Sequence, residues 1–214
     1  MNQELRITEI FYSLQGESRT AGWPTVFVRL TGCPLRCVYC DTAYAFSGGD
    51  RRTVAAILEE VGGYAPRYVC VTGGEPLAQK ACLTLLTELA ERGYEVSLET
   101  GGAMDVAEVD PRVVKVIDLK TPASGERHRN RYENLEHLTP QDQVKFVIMD
   151  EGDYCWAVGQ LTEHRLAERC EVLFSPALGY QNPTELAEAI LRDRLPVRFQ
   201  LQLHKLLWGN APGK

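Results

Sequence analysis

Cys33, Cys37 and Cys40 stand within eight residues, in the run Thr31-Gly32-Cys33-Pro34-Leu35-Arg36-Cys37-Val38-Tyr39-Cys40-Asp41-Thr42. Three thiolates this close can meet at one centre only if the backbone curls around it, and Gly32 and Pro34 supply that curvature. A structural zinc ion ordinarily takes four ligands, and no fourth Cys or His follows at short spacing. His128 or His204 could complete such a site from a distance, so spacing alone leaves zinc open. Three ligands on a four-iron cluster leave one iron with an open position, which is a place for chemistry. A second loop, Thr72-Gly73-Gly74-Glu75-Pro76, points the same way. Its glycines let backbone approach a ligand closely, and Glu75 can accept a hydrogen bond from an ammonium group.

Both loops need elements that bring them to one face. Residues 25–30 read as the strand leading into the cysteine loop. Residues 68–72, stopped by Gly73 and Gly74, read as a buried parallel strand. Further strands are expected at 95–99, 113–119, 144–149, 171–174 and 198–203, and residues 4–13 alternate as an edge strand would. Between them, helical spacing occurs at 53–61 with Thr53 as cap, 79–92 with Gly93 as stop, 152–164, and 183–192 with Asn182 as cap. Strand and helix in alternation predict an α/β fold with a mainly parallel sheet and right-handed crossovers. Around six units in 214 residues predict a partial, abbreviated (βα)6-type barrel, since a full eight-unit barrel takes about 250 residues. Residues 121–137 are polar and poorly periodic, a surface excursion. One domain, 1–214, is the simplest organisation.

Composition narrows the function. The chain is 44% apolar and 24% charged, ordinary for a soluble globular protein. No segment approaches the roughly 20 apolar residues of a membrane span, and the polar start from Met1 to Arg6 lacks a secretory signal, so a cytoplasmic location is expected. A net charge of -6 argues against direct nucleic-acid binding. The one basic run, Arg127-His128-Arg129-Asn130-Arg131, reads as a solvated loop, with an anionic ligand as the other possibility. Cys70, Cys82, Cys155 and Cys170 share no ligand spacing and are expected as buried reduced thiols.

CxxxCxxC with Tyr39 just before the last cysteine, followed by Gly-Gly-Glu-Pro, resembles the radical S-adenosylmethionine superfamily. The resemblance implies that Cys33, Cys37 and Cys40 hold a [4Fe-4S] cluster and that S-adenosylmethionine chelates the open iron through its methionine part. The loop Gly73-Gly74-Glu75 then binds the methionine amino group. Reductive cleavage of the sulfonium would give methionine and a 5′-deoxyadenosyl radical that removes a substrate hydrogen.

A finer resemblance rests on Ile10-Phe11-Tyr12-Ser13-Leu14-Gln15-Gly16-Glu17-Ser18, Phe27-Val28-Arg29-Leu30-Thr31-Gly32-Cys33 and Cys40-Asp41-Thr42. Leu98-Glu99-Thr100, Lys145-Phe146-Val147 and Gln202-Leu203-His204-Lys205 extend it. Together these are similar to the 7-carboxy-7-deazaguanine synthases of queuosine biosynthesis, over most of the chain. What this implies is conversion of 6-carboxy-5,6,7,8-tetrahydropterin to 7-carboxy-7-deazaguanine with loss of ammonia. The radical would take hydrogen from C6, the ring would contract, and the cofactor would be regenerated.

Magnesium is implied on the substrate carboxylate, with Thr42 as its protein ligand. On charge alone Asp41 is the more obvious ligand; the resemblance puts it near the cofactor, and Thr42 without the resemblance reads as a cap. Tyr39, Lys120, Thr121, Ser175 and Pro176 are further expected cofactor contacts; Leu14, Gln15, Gly16, Thr72 and Glu99 are expected on the pterin.

Arg29, in an otherwise apolar strand, needs an anionic partner, either the pterin carboxylate or an internal acid. His204 stands between a ligand contact and a structural role. Implied partners are a flavodoxin or ferredoxin reductant and a second copy of the chain in a homodimer. Some relatives carry a long insertion within the cysteine spacing; its absence here affects the local loop and the reductant's docking surface. Two rivals stand beside this reading: a glycyl-radical-activating enzyme and a non-catalytic zinc or iron-sulfur module. Residues 208–214 carry no interpretable pattern.

Overall fold

A computed structural model describes residues 3–209 and 211–214; the polar start at Met1 and Asn2, and Asn210 of the tail, lie outside them. The strands are β1 (Glu4–Leu14), β2 (Pro24–Leu30), β3 (Asp50–Thr53), β4 (Tyr68–Gly73), β5 (Glu95–Thr100), β6 (Val114–Asp118), β7 (Gln143–Ile148), β8 (Glu171–Pro176) and β9 (Arg198–Phe199). They form one sheet in the order β3-β1-β2-β4-β5-β6-β7-β8-β9. From β2 through β4 to β9 every pairing is parallel, while β1 runs antiparallel to both its neighbours. Among the described residues the sheet does not close, so the expected mainly parallel, partial barrel is what forms.

The helices are α1 (Val54–Gly63), α2 (Ala81–Glu91), α3 (Glu151–Glu163), α4 (Leu166–Arg169), α5 (Pro183–Arg192) and α6 (Leu203–Trp208). α1 begins where Thr53 Oγ1 accepts from Ala56 N at 3.2 Å, and it buries Val54, Ile57, Leu58 and Val61 at helical spacing. α2 buries Cys82, Leu85, Leu86 and Leu89 against the same core. All six residues of β7 are buried, as a central parallel strand requires. A cut from Leu86 to Ala in this core costs about 2–5 kcal/mol, since the cavity cannot fully collapse.

Several expectations are corrected. β1 is not an edge strand, because β3 flanks it; Asp50-Arg51-Arg52-Thr53 has no apolar alternation and is held by backbone pairing and by the ion pair of Arg51 with Glu4. The last strand covers Arg198–Phe199 alone, and Leu203 already begins α6. Residues 121–137 are a set of short 3-10 helices of three to six residues, held down by buried Asn134, whose Nδ2 donates to Gly102 O at 3.1 Å and Met104 O at 2.8 Å. Cys70, Cys82 and Cys170 are buried free thiols, but Cys155 is exposed, because α3 turns Tyr154, Ala157 and Leu161 inward instead. No described helix is long and apolar enough to cross a membrane.

Candidate active site

A cavity of about 230 Å³ opens at the carboxyl ends of β2, β4, β5, β6 and β7, where parallel strands stop pairing and their loops face a ligand. Cys33, Cys37 and Cys40 form part of its wall as half-buried free thiols. Their loop is pressed onto the glycine loop after β4. Glu75 N donates to Gly32 O at 2.7 Å and Gly74 N donates to Leu30 O at 3.2 Å. A Cβ on Gly74 would sit 1.9 Å from Gly32 O, and one on Gly73 would sit 2.6 Å from Leu30 O. Only glycine permits this approach, the structural reason for Gly73-Gly74.

Does this wall suit an iron-sulfur cluster? Among the described residues no three His, Cys, Asp or Glu side chains are already gathered as a metal-binding group. The donor chemistry nevertheless fits. Three thiols share one cavity, Leu35 N donates to Cys33 Sγ at 3.4 Å, and Lys120 supplies positive charge nearby. Burial raises the thiols of Cys33 and Cys37, the latter to about 11, against a smaller lowering by Lys120. Iron would reverse that shift, since a coordinated thiol is deprotonated.

Glu75 is fully buried. Its oxygens accept from Leu77 N at 3.1 Å, Gly101 N at 2.8 Å and Thr100 Oγ1 at 2.9 Å, and burial outweighs these bonds to raise its carboxyl. The carboxylate is thus held rigidly at the cavity wall, with a neighbouring ammonium favoured.

A second part of the wall gathers Gln15, Arg29, Thr72 and Glu99. Glu99 accepts from Thr72 Oγ1 at 3.2 Å and from Gln15 Nε2 at 3.4 Å; burial, then Glu17, raises its carboxyl. Arg29 resolves one of the open alternatives: its Nε donates to Glu9 at 2.7 Å, opposite it across β1 and β2, so the internal ion pair is formed. The guanidinium still lines the cavity, with Phe11 and Tyr44 rings under 6 Å away at 5.8 and 5.9 Å. Phe11 and Phe27 stack at 4.9 Å and add an apolar surface beside it.

Glu17, Asp118 and Lys145 line the cavity without having been expected as site residues, and they stand around the expected Lys120. Glu17 pairs with Lys145, Lys145 lies 3.5 Å from Asp118, and Lys120 lies 3.0 Å from Asp118. Burial opposes both charges of the Glu17–Lys145 pair. It raises Glu17, but Lys145 and its hydrogen bond bring that carboxyl below the ordinary range. It lowers Lys145, but Glu17 and Asp118 push that amine well above. Asp118 Oδ1 and Tyr39 Oη are buried without a hydrogen-bond partner, while Lys120 sits 5.7 Å from the Tyr39 ring. A charge inside or at the end of an otherwise apolar strand was the available signal: Lys145 within Gln-Val-Lys-Phe-Val-Ile and Asp118 closing Val-Lys-Val-Ile-Asp.

α6 covers one side. Leu203 N donates to Gly16 O at 2.9 Å, Gln202 Nε2 donates to Glu17, and Lys205 Nζ reaches Asp41 at 2.8 Å. A Cβ on Gly16 would fall 2.1 Å from His204 Nδ1, so Gly16 is where that ring packs. Leu14, Gly16 and His204 all line the cavity. Asp41 is raised by burial, then lowered further by Lys205 and Thr42, to about 2. Thr42 Oγ1 donates to Asp41 at 2.8 Å, and both line the cavity. Thr121, Ser175 and Pro176 do not join this wall. The Thr121 hydroxyl is buried beside Val147 O and Asp153, and Ser175 and Pro176 close the ladder with β7.

The Radical SAM superfamily model matches residues 27–118, the segment carrying both loops. A 7-carboxy-7-deazaguanine synthase of Chlorobaculum tepidum is 46% identical over 208 residues, covering 96% of this chain and 94% of the relative. The chain belongs to the 7-carboxy-7-deazaguanine synthase family. Another member, from Koribacter versatilis, is 44% identical over 95% of this chain and 97% of its own length. The fold is that of the crystal structure of QueE from Escherichia coli, with a TM-score of 0.77 at 22% identity over 94% of this chain and 95% of that one. Streptococcus suis SuiB bound to S-adenosylmethionine shares the fold at a TM-score of 0.56 and 12% identity, over 80% of this chain and 45% of its own. Membership in the radical S-adenosylmethionine enzymes implies that cofactor and a [4Fe-4S] cluster for this synthase family.

Proposed function

We propose that the chain converts 6-carboxy-5,6,7,8-tetrahydropterin to 7-carboxy-7-deazaguanine with loss of ammonia, as a carbon-nitrogen lyase of queuosine biosynthesis. The observation that carries this reading is the union, in one cavity, of three cysteines with a wall made for a carboxylated pterin: Arg29, Gln15, Thr72 and Glu99. In this assignment Cys33, Cys37 and Cys40 hold the cluster. Gly73, Gly74, Glu75, Tyr39 and Lys120 face S-adenosylmethionine. A reduced cluster carrying S-adenosylmethionine supplies an adenosyl radical able to take a carbon-bound hydrogen.

The chain's own residues bind and orient. Arg29 retains two Nη groups beyond its bond to Glu9, enough for a bidentate grip on a carboxylate. Glu99, steadied by Gln15 and Thr72, accepts N–H donors from the guanidine-like edge of the pterin. Phe11 and Phe27 exclude water on one side. Thr42 donates its proton to Asp41, which leaves its oxygen lone pairs for magnesium, and Lys205 already claims Asp41. That supports Thr42 as the metal ligand.

One core and one sheet support a single domain, and the reading includes a cytoplasmic homodimer reduced by flavodoxin or ferredoxin.

Anaerobic reconstitution with S-adenosylmethionine, reductant, magnesium and the carboxypterin tests this by mass spectrometry. Formation of 7-carboxy-7-deazaguanine, absent in Cys37→Ala, is expected. Formation of 5′-deoxyadenosine without that product would overturn the substrate assignment.

A further inference from the structure

One cation of the cavity wall has no task in the binding scheme above. Lys145 stands within β7 between Val144 and Phe146, and it turns into the cavity with Val147, two residues on. Glu99 turns into the same cavity from β5. Between them runs β6, whose Val116 stands opposite Glu99 and whose Asp118 stands opposite Lys145. Val116 is short and apolar, so the carboxylate and the ammonium reach the same space over it. A continuous run of contacts joins the two: Gln15 Nε2 donates to Glu99 at 3.4 Å, Gln15 Oε1 accepts from Glu17 N at 3.2 Å, and Glu17 pairs with Lys145. An ammonium carries three hydrogens. Glu17 takes one, Asp118 at 3.5 Å takes a second, and the third is left for the cavity. Burial would lower this amine, but Glu17 and then Asp118 hold it well above its ordinary range, so it stands there as a donor only.

The pyrimidinone edge of a pterin presents two donors, the 2-amino group and N3–H, and then one acceptor, the carbonyl oxygen at C4. Glu99 is the acceptor that the donors need, and the charged donor joined to it through Gln15 and Glu17 is Lys145. We propose that Lys145 is the specificity-determining residue that donates to the 4-oxo group of the pterin and excludes pteridines with an amino group at C4. This role rests on the carboxypterin reading above. A 4-amino ring sets a donor against the ammonium and leaves both without an acceptor, which costs more than a missing contact alone. The other cations of the wall are committed elsewhere. Arg29 is held on β2 by Glu9, with its free Nη groups left for the carboxylate, and Lys120 is turned to Asp118 and the Tyr39 ring.

The test uses the cluster-loaded full chain with magnesium and S-adenosylmethionine but no reductant, and two probes, pterin-6-carboxylic acid and 2,4-diaminopteridine-6-carboxylic acid. Both rings are fully aromatic and carry no hydrogen at C6, so they bind without turnover. Equilibrium dialysis at pH 8, where the free 4-amino ring is neutral, gives the ratio of their dissociation constants. The parent is expected to prefer the 4-oxo ring. Glu17→Gln/Lys145→Met, which removes the pair without stranding a charge and leaves Asp118 to Lys120, is expected to shift the ratio toward the 4-amino ring by about tenfold or more. Glu17→Gln alone keeps the ammonium, with Asp118 beside it, and should keep the parent ratio. A pair with a merely structural role would weaken both probes equally, so an unchanged ratio in the double variant would overturn the proposal. The same shift in Glu17→Gln would overturn it too. In the parent, tighter binding of the 4-amino ring, or equal binding of both, would overturn the role of Lys145 without recourse to any variant. Binding of neither probe by the parent would instead overturn the pterin reading on which that role rests.

Discussion

Glu17 and Lys145, 128 residues apart in sequence, form a buried ion pair that lines the cavity. Glu17 is further held by Gln202 and Lys145 by Asp118, so the pair ties the segment after β1, strands β6 and β7, and the residue before α6 to one another. Removing one member leaves the other charged and buried. Lys145→Met is therefore expected to destabilise the fold by about 3–5 kcal/mol in chemical denaturation. The double variant Glu17→Gln/Lys145→Met should recover part of that loss. A single variant as stable as the parent would show that the pair is not what holds these segments.

Asp41 and Lys205 give a pH signature. The folded Asp41 carboxyl lies at about 2 against its ordinary 3.8, so the contribution to stability is present above about pH 4 and is lost as pH falls through about 2. Denaturation midpoints of the parent and Lys205→Met should differ by a constant amount from pH 7 to about pH 4, then converge as pH falls further. A gap that persists to pH 2 would mean that Lys205 contributes by packing instead.

Cys37, raised to about 11 by burial, should be a sluggish nucleophile without iron. Iodoacetamide alkylation of Cys37, mapped by mass spectrometry in metal-free protein, is expected to stay slow at pH 8 and to rise toward pH 11. An ordinary exposed thiol titrates near about 8.5. Loading with iron and sulfide should abolish the reaction at every pH, and alkylation persisting at stoichiometric iron would exclude Cys37 as a ligand.

Gly74 and Gly63 should respond oppositely to alanine. A Cβ on Gly74 meets Gly32 O at 1.9 Å, so Gly74→Ala forces the two loops apart at a cost of about 1–3 kcal/mol and weakens S-adenosylmethionine binding, read by equilibrium dialysis. Gly63, the last residue of α1, has nothing within 4 Å of its Cβ position; Gly63→Ala should gain about 0.5–1 kcal/mol. If Gly74→Ala binds cofactor as the parent does, close approach is not the reason for that glycine.

The sequence by itself determined whatever depends on neighbours along the chain. Cys33, Cys37 and Cys40 declare their chemistry through spacing, Gly73 and Gly74 through a strand that must stop, and β4 and β7 through apolar runs of strand length. Thr53 and Asn182 mark helix starts, because a cap is a local hydrogen bond. β3, by contrast, has no apolar pattern, since it gains its place from backbone pairing with β1 and from ion pairs of Arg51 with Glu4 and Arg52 with Glu60. The partner of Arg29 was undecidable until antiparallel register set Glu9 opposite it. Arg127 and Arg129 read as a solvated turn and are exposed, but the bonds through Ser124 and Glu126 that tie their segment to Val38 and Arg36 are not visible in spacing. Only the tertiary structure could bring Glu17 to Lys145, Lys205 to Asp41 and His204 to Gly16, because the energies of these contacts depend on distances through space that no local periodicity encodes.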